Sequence, residues 1–279
     1  MKKRLLASII SLLALSLPRM VMGQNLFVAN AANGTITQIT PAGVPSTFAS
    51  GLNFPLSLAF DSQGDLFEAD EGSGNIYEFT PSGVRSTFAT GLGSPEGLAF
   101  NSGGDLFVGT SADIFEYTPA GMKSTFAAGA VGHPFGLAFN SAGDLFVNGS
   151  SIYEYTPAGV RSIFAAGIGN PSGLAFNGVG SLFAVGSGSI YEYTPGGVKS
   201  TFVAGGLGNP AGLAFNSAGD LFATTGSTII EITPDGVKST FAGQLSDSTG
   251  LAFQPVPEPS TWAMLSMSAL TLLGLRRKI

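Results

Sequence analysis

Few side chains in this sequence could do chemistry. There is one histidine, His133, no cysteine, and only 18 acidic residues among 279. The candidates are the adjacent acids Asp70 and Glu71, then Glu96, Asp113 and His133. A histidine beside a carboxylate can act as an acid–base pair. Carboxylates gathered on loops can hold Ca²⁺ or the hydroxyls of a sugar. The opposing reading is ordinary solvated loop polarity, with His133, which precedes Pro134, as a plain loop residue in the register of Ser94, Asn170 and Asn209. An enzyme would need such groups to converge within about 3 Å of one point. These acids come from separate segments, so scattered polar loops are the expectation. The lack of cysteine excludes disulfides, thiol catalysis and Cys-ligated zinc or iron–sulfur sites. No phosphate-binding glycine loop stands out, because the 40 glycines recur at turn positions.

The elements that must position these residues are repeats. Leu-Ala-Phe recurs with its Phe at Phe60, Phe100, Phe139, Phe176, Phe215 and Phe253. A Leu-Phe pair, a Thr-Pro turn and a Ser-(Thr/Ile)-Phe segment each recur six times as well, with a period of 37 to 40 residues. Residues 97–126 show the unit: Gly97-Leu98-Ala99-Phe100, a Gly/Asn turn, Leu106-Phe107-Val108, Ile114-Phe115-Glu116-Tyr117, the turn Thr118-Pro119-Ala120-Gly121, and Lys123-Ser124-Thr125-Phe126. Aromatic and β-branched runs split by Gly, Asn and Pro turns read as short strands. The intervals leave no room for a crossover helix, so neighbouring strands are antiparallel.

The two ends imply a ring. The repeats begin at the second strand, Asn25 to Ala29, and finish on a lone Leu251-Ala252-Phe253. If that segment pairs with Leu26-Phe27-Val28, six complete four-stranded blades result. Closure leaves only short protected edges, whereas an open solenoid would want polar capping repeats. The fold class expected is all-β: a six-bladed β-propeller of four antiparallel strands per blade. Leu-Ala-Phe is placed innermost, because it is apolar throughout. The strand carrying Arg85, Lys123, Arg161, Lys199 and Lys238 is placed on the rim, where basic residues blunt an exposed edge. Glu78, Glu116, Glu154, Glu192 and Glu231 on the third strand suggest a cross-strand charge ladder with those bases, provided the turn keeps them opposed.

Both ends look like addresses. Lys2-Lys3-Arg4, the apolar run Leu5 to Leu17 and Val21-Met22-Gly23 compose a signal peptide over residues 1–23, cut before Gln24. A signal anchor is the alternative, but the run is short for a span of roughly 20 residues. Residues 24–254 form the propeller, and 255–279 a tail. Five basic and 17 acidic residues remain between the two ends, a formal charge of −12. Such a body repels nucleic acid and anionic lipid.

Pro95–Phe107 and Pro210–Phe222 follow the form Pro-x-Gly-Leu-Ala-Phe-Asn-Ser-x-Gly-Asp-Leu-Phe. This pattern resembles NHL-type six-bladed propellers and the related gluconolactonase and streptogramin-lyase propellers, over roughly residues 25 to 254. The resemblance implies that loops before the first strand and between the second and third strands open on one face. That face would carry Asp70, Glu71, Glu96, Asp113 and His133. The sequence departs from the NHL pattern: only Asp70 supplies an acid after the second strand, and no basic residue precedes the third. The central channel is expected to be bare and ringed by Asn, Ser and Gly.

The tail carries a second resemblance. Pro257-Glu258-Pro259, the apolar stretch Trp262 to Leu275 and the basic end Arg276-Arg277-Lys278 look like a PEP-CTERM sorting signal. It implies export, transient membrane contact through a short apolar helix, the basic end held in the cytoplasm, and processing by an exosortase-type enzyme. A plain C-terminal anchor is the alternative. Together these readings give an exported surface or matrix-associated binding module, with extracellular polysaccharide or protein as its partner. The rival is a propeller hydrolase or lyase, lactonase- or streptogramin-lyase-like, with a metal at the channel mouth.

Overall fold

The computed structural model describes residues 23–129 and 132–256. Residues 1–22 of the signal segment and 257–279 of the sorting tail named above lie outside them. Twenty-four strands fall into six four-stranded antiparallel sheets arranged in a ring, a six-bladed β-propeller. Blade one holds Ser248–Phe253, Leu26–Asn30, Thr35–Ile39 and Pro45–Ser50, in that order from axis to rim. Blades two to six follow in sequence and begin at Pro55–Phe60, Pro95–Phe100, Leu137–Phe139, Leu174–Phe176 and Leu213–Phe215.

Closure occurs as the partial repeats require. Leu26 pairs with Phe253, Phe27 with Ala252 and Val28 with Leu251. Every residue of Leu26–Asn30 is buried, so without its C-terminal partner this strand would present a bare apolar edge.

Each blade has the same internal logic. The phenylalanine of its second strand meets edge-on the phenylalanine of its own fourth strand and that of the next blade's Leu-Ala-Phe. Phe27 does this with Phe48 and Phe60, and Phe222 with Phe241 and Phe253, at centroid distances of 4.9 to 5.1 Å. Edge-to-face pairs at this spacing add to simple area burial. They recur at every seam, the closing one included.

The turns are held by their own side chains. Asn101 Oδ1 accepts the amides of Gly103 and Asp105, and Thr118 Oγ1 accepts that of Met122. Local bonds of this kind are why Asn, Asp and Thr sit at turns.

The rim differs from the expected charge ladder. Glu78 lies opposite Ser86, while Arg85 lies opposite Phe79. The five-residue turn shifts the base one place, and one place moves a side chain to the other face. The bases stack on rings instead: Arg85 over Tyr77, Lys123 over Phe115, Arg161 over Tyr153 and Lys199 over Tyr191, at 3.6 to 5.5 Å from the ring centroids. Among the described residues, His133–Glu96 is the only ion pair.

Candidate functional site

The innermost strands and the segments leading into them hold six corresponding positions, Leu56, Glu96, Phe135, Ser172, Ala211 and Thr249, each one residue before the Gly or Ser that precedes Leu-Ala-Phe. Beneath them lies a collar of Gly97, Gly136, Gly173, Gly212 and Gly250. A Cβ on any of these would come well inside 3.0 Å of a carbonyl oxygen of the next blade. Glycine is required there because the backbones of neighbouring blades converge on the axis. Ser57 takes the sixth place and accepts the amide of Leu98 on its Oγ at 3.1 Å.

Leu58, Leu98, Leu137, Leu174, Leu213 and Leu251 each pack into a different hydrophobic cluster at a blade seam, and with Ser57 and four of the collar glycines they line a cavity of about 70 Å³. The lining of this cavity is mainly leucine and glycine, with Ser57 and Phe135, where the sequence suggested Asn, Ser and Gly.

The candidate residues separate. Glu96 is 3% exposed, although its strand is otherwise apolar. Its Oε1 lies 2.8 Å from His133 Nδ1, and the His133 side chain is 84% exposed. Ser94 donates its hydroxyl to Glu71 Oε1 at 2.8 Å. Burial pushes the Glu96 carboxyl above the usual range, more than the His133 hydrogen bond and charge pull it down. The same hydrogen bond and charge, in the other direction, raise the His133 imidazole, and Glu71 raises both groups slightly. Glu71, Glu96 and His133 thus form one electrostatic cluster at the mouth, contributed by the loops and innermost strands of blades two, three and four.

Asp70 and Asp113 do not belong to it. Asp70 is 1% exposed. Its Oδ2 accepts the Asn53 amide at 2.7 Å and its Oδ1 the Ser73 amide at 3.0 Å, so it clamps the entry loop of blade two to its own turn. Asp113 Oδ1 accepts the Gly129 amide at 3.1 Å in blade three. Among the described residues, no three His, Cys, Asp or Glu side chains gather in a group able to hold a metal ion.

Sequence reasoning missed two residues. Phe54 is 44% exposed, with a left-handed φ of 62°, an outlier for a bulky residue, and its carbonyl accepts the Glu71 amide at 3.2 Å. No local signal marks it beyond its standing where other repeats have Ser94, His133, Asn170 and Asn209. Glu68 is fully buried, and neither carboxylate oxygen has a hydrogen-bond partner. Burial, and then the nearby charge of Asp70, push its carboxyl well above the usual range. Here a signal was available: the matching residues in the other blades are Val28, Val108, Val147, Ala184 and Ala223.

Comparison with known proteins places the fold and nothing finer. No protein-family profile matches the chain, and no curated protein sequence does. Solved structures do match. A chain in a nidogen/laminin complex is 20% identical, with a TM-score of 0.76, covering 85% of this chain and 100% of its own. A catalytically inactive virginiamycin B lyase from Staphylococcus aureus, solved with quinupristin, is 16% identical, with a TM-score of 0.64 over 84% of this chain and 94% of its own. A gluconolactonase from Xanthomonas campestris is 13% identical, with a TM-score of 0.67 over 84% and 92%. Six blades of four antiparallel strands, closed by the two chain ends, make this protein a six-bladed β-propeller of the same architecture as those structures.

Proposed function

We propose that the protein is an exported surface or matrix-associated propeller that acts as a rigid binding module, delivered by residues 1–23 and sorted through its Pro257-Glu258-Pro259 tail. The observation that carries the binding reading is the small size of the axial cavity. Leucines and glycines of the innermost segments leave about 70 Å³ there, so the ring offers a firm platform with a shallow mouth rather than a roomy reaction chamber. Phe54, Glu71, Glu96 and His133 supply that mouth with an apolar face and polar acceptors, the combination that a sugar or an extracellular protein loop would use. The acidic body argues against nucleic acid as partner. A solved neighbour described as a nidogen/laminin complex supports the idea that such a ring can serve protein association.

Mass spectrometry of the protein recovered from the cell surface and medium tests delivery. The mature chain should begin at Gln24 and end near Pro257-Glu258-Pro259. An intact Arg276–Ile279 end would overturn processing by an exosortase-type enzyme. A glycan array and a pull-down of surface proteins test the mouth, where Glu71→Ala with Glu96→Ala should abolish the binding of a mouth ligand.

A second reading rests on the Glu96–His133 pair, whose 2.8 Å separation is what an acid–base pair needs. Turnover of a lactone or a streptogramin by the purified protein with added divalent metal, lost in Glu96→Gln, would establish a hydrolase or lyase in place of the binding module.

A further inference from the structure

A groove of about 410 Å³ lies between blades five and six, and none of Glu71, Glu96 and His133 lines it. Its walls are the connecting segment around Leu207 and the face of blade six that presents Ile230, Lys238 and Thr240, with Thr225 and Thr228 at one end. The volume falls in the range of small-molecule sites, about 300 to 1,000 Å³.

The register explains why the groove is open here. Ile230 pairs with Thr240 as Tyr77 pairs with Thr87, Phe115 with Thr125 and Tyr191 with Thr201. In blades two to five this position is an aromatic ring, and the strand-four base lies over it. In blade six the ring is missing. Lys238 keeps the place of Arg85, opposite Ile232, but among the described residues it has neither a ring to cover nor a carboxylate within ion-pair distance. Blade one lacks both parts, with Thr37 and Pro45 at these positions.

We propose that this groove binds one acidic sugar unit, a uronate, with its carboxylate on Lys238 and its hydroxyls on the threonines. The lining decides the class. Thr225 and Thr228 set their hydroxyl oxygens 2.6 Å apart, leaving acceptor capacity on both. A purely apolar ligand would strip water from these hydroxyls without replacing their bonds, while a polyhydroxylated one replaces them and rests its ring on Ile230. The lone ammonium selects a carboxylate, since a charge-assisted bond is worth more than a neutral one. None of this depends on the mouth or on sorting.

Isothermal titration of the full chain with sodium trigalacturonate, and with maltotriose as the neutral probe, tests it. One-site saturable binding of the uronate is expected, with maltotriose bound at least about tenfold more weakly. Lys238→Gln should erase that preference. Ile230→Tyr restores the ring found in blades two, four and five, and should abolish uronate binding while the melting temperature stays at or above wild type. Absence of saturable uronate binding, equal affinity for maltotriose, or full binding by a folded Ile230→Tyr protein would each overturn the proposal.

Discussion

His133 Nδ1 lies 2.8 Å from Glu96 Oε1, joining an exposed ring to a buried carboxyl across the seam between blades three and four. Because His133 is the only histidine in the chain, its ring signals in a proton NMR titration are unambiguous. The hydrogen bond and charge of Glu96 raise its pKa, so Glu96→Gln should bring the titration back toward about 6.5. Both groups have raised folded-state pKa values. The folded chain therefore holds more protons than the unfolded one, and this contribution to stability is lost as pH rises through those values. A titration unchanged by Glu96→Gln would show that the pair does not persist in solution.

Glu68 makes a larger effect on stability. Its pKa is raised by burial, so its folded state is compatible with the neutral acid. Stability is complete below the ordinary carboxylate range and falls as pH rises through the folded value. Glu68→Gln should match wild type at low pH and surpass it in alkaline buffer. Glu68→Val, which copies Val28, Val108 and Val147, should stabilise by roughly 1–3 kcal/mol at neutral pH by removing two unpartnered buried oxygens. Urea unfolding across a pH series reads both. A Glu68→Val protein less stable than wild type would mean that the carboxylate has a partner in solution.

The glycine collar predicts a sharp contrast between two alanines. Gly97→Ala would drive a methyl into Pro134 and Phe135 carbonyls across the seam and should destabilise by roughly 1–3 kcal/mol. Gly178, with open space around it and no left-handed φ, should accept alanine within about 0.5 kcal/mol. Thermal melts of the two variants compare them directly.

Closure by the C-terminal strand is also testable. Deleting residues 250–254 removes the partners of Leu26, Phe27 and Val28 and opens a wholly buried strand. Light scattering after size exclusion should show self-association where the intact chain gives a single species. A monomeric, stable deletion variant would mean that the ring does not depend on this seam.

Ring, blade count, strand order and the closing pair were all legible in the sequence, because each is a consequence of repetition. A landmark that recurs six times states its own environment six times, and the mismatched ends leave one way to complete the set. The clamp made by Asp70, the pairing of Glu96 with His133 and the isolation of Asp113 were not legible. Those depend on how loops from different blades fold against one another, and single loop residues carry no periodic signal. The charge ladder failed for a related reason: the sequence supplies Glu78 and Arg85, but the turn between them decides which face each one takes, and a shift of one residue sends the base to a ring instead of an acid. The small axial cavity belongs to the tertiary structure as well. One Leu-Ala-Phe shows only that its leucine is buried; the ring sets six of them around one small cavity, beside a glycine collar that lets the blade backbones approach closely.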